Sequence, residues 1–100
     1  MDSGIRAMVD AVGEAERQVR ENALPKARDS GRERVPEKEE AALLGALAGL
    51  VESIGELAGA VGDRVTNRDT ARTYTVAGRR LRSEAGNLRG DEDETAARSR

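Results

Sequence analysis

Residues 41–65, AALLGALAGLVESIGELAGAVGDRV, decide the fold. Leu43, Leu47, Leu50, Ile54, Leu57 and Val61 recur at alternating steps of four and three, which is the period of one helix face. Placing Leu47, Ile54 and Val61 at a and Leu43, Leu50 and Leu57 at d gives a pattern that on its own suits a two-stranded coiled coil. The flanking columns argue for something broader. Leu44, Val51, Ala58 and Val65 fill e, and Ala46, Ser53 and Ala60 fill g, where a zipper carries opposed charges. An apolar a/d/e face fits a helix in a bundle, packed by more than one partner. Pro36 suits the first helical position, and Glu37, Glu39 and Glu40 put negative charge in the first turn, where the helix dipole favours it. The expected helix covers 36–66.

Five glycines in this helix, Gly45, Gly49, Gly55, Gly59 and Gly62, fall off the a/d seam. Each costs roughly 1 kcal/mol relative to Ala in a helix interior. Two readings stay open: a second close-packing face built on GALAG (45–49) and GELAG (55–59), or drift on a solvated face that also carries Glu52 and Glu56. Under both, the helix depends on tertiary or quaternary contacts for its stability.

Working towards the N-terminus, Ile5, Met8, Val12, Ala15 and Val19 mark an amphipathic helix over about 3–24, capped by Asp2 or Ser3. Pro25 is expected to end it by pushing Leu24 out of helical geometry. Glu16 with Arg20 and Arg17 with Glu21 form i,i+4 pairs on its outer face. Residues 25–35, almost without apolar side chains after Pro25, read as a mobile charged linker. Towards the C-terminus, Tyr74, Ala77, Leu81, Ala85 and Leu88 mark a weaker third helix over about 69–88, with Asn67 and Asp69 available to cap it. Residues 91–100 lack a buried face and are expected to be disordered. The expectation is therefore an all-α protein: a single domain over 1–90, a small open bundle or hairpin completed by oligomerisation.

Composition narrows the chemistry. The 100 residues are 37% hydrophobic and 36% charged, with one aromatic, Tyr74, so the core must be built from aliphatics and Ala. No His and no Cys occur, which excludes disulfides, imidazole or thiolate metal sites, and Ser-His-Asp or Cys-His catalysis. Glu39 with Glu40 and Glu52 with Glu56 are paired carboxylates, but acid–base work needs a cleft that shifts a pKa. They read as solvated faces; no enzyme and no cofactor is expected. The longest uncharged run, 41–51, is shorter than a membrane span requires, and no signal peptide is visible in the first 24 residues. A soluble, cytoplasmic protein is expected, with signal-independent secretion open and no membrane binding expected.

The net charge of −2 is a cancellation. Residues 35–63 hold one Lys against six acids, whereas 64–90 hold seven Arg against Asp69 and Glu84. On one helix, Arg68, Arg72, Arg79, Arg82 and Arg89 share about 100° of arc beside the apolar face. They can orient helices by pairing with the acidic neighbour or neutralise the phosphates of nucleic acid. No aromatic platform accompanies them for base stacking. The leading expectation is an interaction, assembly or regulatory subunit that binds itself or another helical protein through Leu43, Leu47, Leu50, Val51, Ile54, Leu57 and Val61. Nucleic-acid binding through the Arg stripe stands second.

The segment Ala85-Gly-Asn-Leu-Arg-Gly-Asp-Glu-Asp-Glu-Thr-Ala-Ala-Arg98 resembles the C-terminal region of small WXG100-like type VII secretion proteins, with Leu88 where a signal Tyr stands and Glu92 at the acidic position. The family's Trp-x-Gly turn has no counterpart in this chain. The resemblance implies a helical hairpin and export without a cleaved signal.

Overall fold

The structure, a computed structural model, describes residues 2–29 and 34–98; four residues of the expected linker, 30–33, and the last two of the tail lie outside them. Every regular element among the described residues is helical: α1 (Ser3–Gln18), a π-helical turn (Val19–Ala23), α2 (Leu24–Arg28), α3 (Glu37–Gly62) and α4 (Arg68–Arg98). The all-α expectation holds. The chain divides into two compact units, 1–34 and 35–100, rather than the single domain expected over 1–90.

In the first unit, residues 3–28 form one run of helix. Asp2 caps it, its carboxylate accepting from the backbone N–H of Gly4 at 2.7 Å and of Ile5 at 3.1 Å. The expected ion pairs form, Arg20 to Glu16 at 2.8 Å and Arg17 to Glu21 at 3.1 Å, and Arg17 also reaches Glu14 at 2.6 Å. Pro25 does not end the helix. Leu24 keeps helical angles (φ −62°, ψ −43°), and its N–H donates to the carbonyl of Val19, five residues back. A proline inside an α-helix collides with the carbonyl four residues upstream. Widening the preceding turn to a π turn carries the chain past that obstacle, so helix continues through residues 25–28 of the expected linker.

The second unit is a two-helix hairpin. Pro36 stands at the N-cap of α3, just before the acidic turn Glu37–Glu40, and Asp63 closes its other end. A short turn leads to Asn67, whose side-chain oxygen accepts from the N–H of Asp69 and of Thr70, both at 3.0 Å, and so starts α4. The sequence placed the end of the third helix near residue 88 and disorder from 91; instead α4 runs unbroken to Arg98. Its far end is held by packing: Thr95 is only 3% exposed.

The contact between α3 and α4 is made by small residues. On α3 the buried positions are Ala48, Gly55 and Gly62, spaced by seven; on α4 they include Gly78 and Ala85, also spaced by seven. The approach is so close that a Cβ on Gly78 would stand 2.7 Å from the carbonyl oxygen of Gly55. One on Gly62 would stand 3.0 Å from the Cβ of Tyr74 and 3.3 Å from the carbonyl of Ala71. Gly55 thus faces Gly78 and Gly62 faces Ala71, and the antiparallel register brings Ala48, fully buried, opposite the equally buried Ala85. Close packing is realised, but not on the GALAG and GELAG units: Gly55 and Gly62 meet α4 closely and Gly45 lies under Glu92, whereas around Gly49 and Gly59 a Cβ would meet nothing within 4 Å.

Candidate interaction surface

The leucine ridge read from the sequence as the packing seam is not what α4 packs against. At about 100° per residue, Leu47, Ile54 and Val61 lie roughly 100–140° around α3 from the Ala48–Gly55–Gly62 line, and Leu43, Leu50 and Leu57 lie roughly 140–180° from it. Leu43 is 53% exposed, Leu47 48% and Ile54 40%. Leu50, Leu57 and Val61 are half-buried. Large side chains would hold the two helices apart, whereas Gly and Ala let the backbones approach, so the small face is chosen for the intramolecular contact. Of the residues proposed for a partner, Val51 alone belongs to the flank of that contact, with Leu44 and Ala58 beside it, facing the side of α4 that carries Tyr74, Leu81 and Leu88.

The apolar surface of α3 therefore extends around half the helix. One quarter is covered by α4; the next quarter, the ridge, is open. At the free end of the hairpin the two merge into a groove of about 420 Å³, floored by Leu43, Leu44 and Leu47 and rimmed by Glu40, Asp91 and Glu94. Large exposed aliphatics in a contiguous row, rimmed by charge, mark interaction surfaces in soluble domains.

The Arg stripe lies on the opposite flank. Arg89 reaches across to Glu52 of α3 in an ion pair whose side chains remain 43% and 40% exposed. Arg82 lays its stem over Gly55, where a Cβ would meet its Cγ at 3.1 Å, and donates to the carbonyl of Gly78 at 3.4 Å. Two of the five arginines are thus engaged in the hairpin itself. Arg68, Arg72 and Arg79 are exposed, on the same side as Glu52 and Glu56. The positive stripe and the acidic face of α3 stand next to each other, so their fields largely cancel at a distance.

The segment carrying the WXG100-like resemblance forms the outer half of α4. Leu88 is half-buried on its contact side, and the Glu92 carboxylate lies over Gly45, whose Cβ would stand 2.5 Å from Oε2. By length and composition α3 would serve as a membrane span, a property the uncharged run 41–51 does not reveal because Glu52 and Glu56 interrupt it. No group of three or more carboxylates among the described residues has metal-binding geometry. No family model, curated protein or solved structure matches the chain.

What the sequence missed is the division of labour on α3. The heptad of small residues at 41, 48, 55 and 62 was visible, and so was its echo at 71, 78 and 85. Matching the two repeats across an antiparallel pair is the signal that would have identified the contact.

Proposed function

We propose that this chain is a non-enzymatic interaction protein whose α3 ridge receives an amphipathic helix. One observation carries the reading: three large aliphatic side chains of α3, Leu43, Leu47 and Ile54, are 40–53% exposed on the side turned away from α4. Fully burying a Leu or Ile is worth about 1.5–3 kcal/mol, so covering the exposed halves of these three offers about 2–4 kcal/mol before the half-buried neighbours are counted. A small-residue seam keeps the helices paired, which frees the large residues for binding. The hairpin is then a presenting scaffold, and the ridge its working surface.

A photo-activated cross-linking residue placed at Leu47, with Arg80 on the outer face of α4 as control, tests this in the cell that makes the protein. A discrete adduct from position 47, absent from position 80 and lost when Ile54→Lys is added, is expected. No adduct, or the same adducts from both positions, overturns it.

A further inference from the structure

We infer that the occupant of the ridge is the ridge of a second copy of this chain, laid antiparallel along a two-fold axis. The inference rests on the ridge being a docking surface and adds who docks there.

Three features select a second copy. First, between residues 41 and 61 the only charged side chains of α3 are Glu52 and Glu56, and both lie on the flank away from the ridge. A two-fold interface brings each residue near its own kind, so an uncharged face is one that can meet itself without like-charge repulsion. Second, the ridge is bordered on its far side by Ala46, Gly49, Ser53 and Ala60, and a Cβ on Gly49 would meet nothing. Large residues beside a strip of small ones make a self-complementary surface, each copy's leucines seated on the other's small strip. Third, the area suffices. Three residues about half exposed, three half-buried ones and the small strip cover roughly 500 Å² on each copy, or roughly 1,000 Å² in all, the lower bound for a specific complex.

Charge sets the direction. The free end of the hairpin, residues 37–44 and 88–98, holds seven carboxylates against three basic residues. The turn end, residues 61–74, holds three Arg against two Asp. A parallel pair would place the two acidic ends side by side. An antiparallel pair sets each acidic end beside the other copy's turn end, where Arg64 stands, and so keeps the two acidic ends apart.

The chain has no Cys, which makes orientation directly testable in the full-length protein. About 27 Å of helix separates Leu43 from Val61. When Leu43→Cys and Val61→Cys chains are mixed and mildly oxidised, the antiparallel arrangement gives the mixed disulfide, and a like-with-like product overturns it. Sedimentation equilibrium of the unmodified chain is expected to show a concentration-dependent monomer–dimer equilibrium. Leu47→Lys with Ile54→Lys should weaken it by more than about tenfold while circular dichroism shows the helices intact. Val9→Lys with Val12→Lys, on the exposed stripe of α1, should leave it unchanged. Loss of the dimer in both variants alike would assign α1 of the second copy to the ridge and overturn the α3–α3 pairing. A chain that stays monomeric overturns the second copy; the docking surface itself survives only if the Leu47 cross-link persists in cells. Flotation with neutral phosphatidylcholine vesicles that is lost on Leu47→Lys would assign the ridge to a bilayer and equally overturn the proposal.

Discussion

Substituting Ala for Gly78 sets two effects of known size against each other. In an unobstructed helix the change is favourable by about 1 kcal/mol, because Gly surrenders more backbone entropy than Ala. At Gly78 the added methyl would stand 2.7 Å from the carbonyl oxygen of Gly55 and 3.2 Å from the backbone nitrogen of Gly59. Both obstacles are backbone of the opposing helix and cannot rotate away, so α3 and α4 must move apart or shift along each other. Overpacking of that kind costs about 1–3 kcal/mol. The expected net result is a loss of up to about 2 kcal/mol. Gly86, two turns further along the same helix, is the matched control, since a Cβ there would meet nothing within 4 Å. Gly86→Ala should stabilise by about 1 kcal/mol. Urea unfolding followed by circular dichroism, at one fixed protein concentration so that association does not enter, reads both differences. Two glycines on one helix with opposite signs would establish the close seam. If Gly78→Ala stabilises as much as Gly86→Ala, the helices do not approach as described and the free ridge loses its basis.

Four further outcomes follow from the same geometry. A double-mutant cycle on Glu52→Gln and Arg89→Met should give a coupling of about 0.2–1 kcal/mol, the range of a solvent-exposed pair, that shrinks in salt; zero coupling at low salt would remove that ion pair from the hairpin. Asn67→Ala removes the acceptor for two N–H groups at the start of α4 and should cost about 1 kcal/mol, whereas Asn67→Asp should retain most of the stability; equal stability of Asn67→Ala and the unmodified chain counts against the cap. Pro25→Ala should let the π turn at 19–23 relax to α, seen as a change of backbone carbon shifts confined to residues 17–26; an unchanged spectrum there would mean that the proline does not cause the wide turn. Finally, hydrogen bonds from Arg17 and then Gln18 hold the Glu14 carboxyl below the ordinary carboxylate value. A folded value below the unfolded one means that its support for the helix is complete above the ordinary carboxylate range and lost as pH falls through Glu14's own lowered value. The Glu14 midpoint in an NMR titration should rise in Arg17→Gln; an unmoved midpoint would refute the assignment.

Much of the hairpin could be read from residue spacing, and the reasons for the rest are physical. The period of Leu43 to Val61 identified α3 because helical repetition of apolar side chains survives whatever the helix packs against. It misidentified the contact face because hydrophobic periodicity weighs side chains by size, while the closest helix–helix approach selects positions where size is least. The length of α4 was underestimated for a related reason. Asp91–Glu94 look unfit for a core, yet Ala85 and Thr95, which bracket them, are buried and Glu92 lies over Gly45, so the run is carried along in the helix. Propensity likewise overruled Pro25, since a single widened turn costs less than unravelling the helix on either side. The Arg stripe was placed on the correct arc, but only the pairing of helices showed that Arg89 and Arg82 are spent on α3.

A seam that repeats every seven residues has more than one way to align, because sliding α4 by about 10.5 Å along α3 again sets small residues against small ones. Side-chain chemistry in the seam distinguishes these alignments only in part, since setting Gly55 against Ala85 would bring Glu92 opposite Ala48; the connection between the helices distinguishes them all. If Gly55 met Ala85 instead of Gly78, residues 63–77 would have to unwind to bridge the ends. If it met Ala71, almost no chain would remain to make the turn. The short stretch 63–67, between Gly62 and Arg68, therefore acts as a ruler that selects one alignment from a set of near-equivalent ones. Its length, more than its composition, is what evolution or design would have to hold constant.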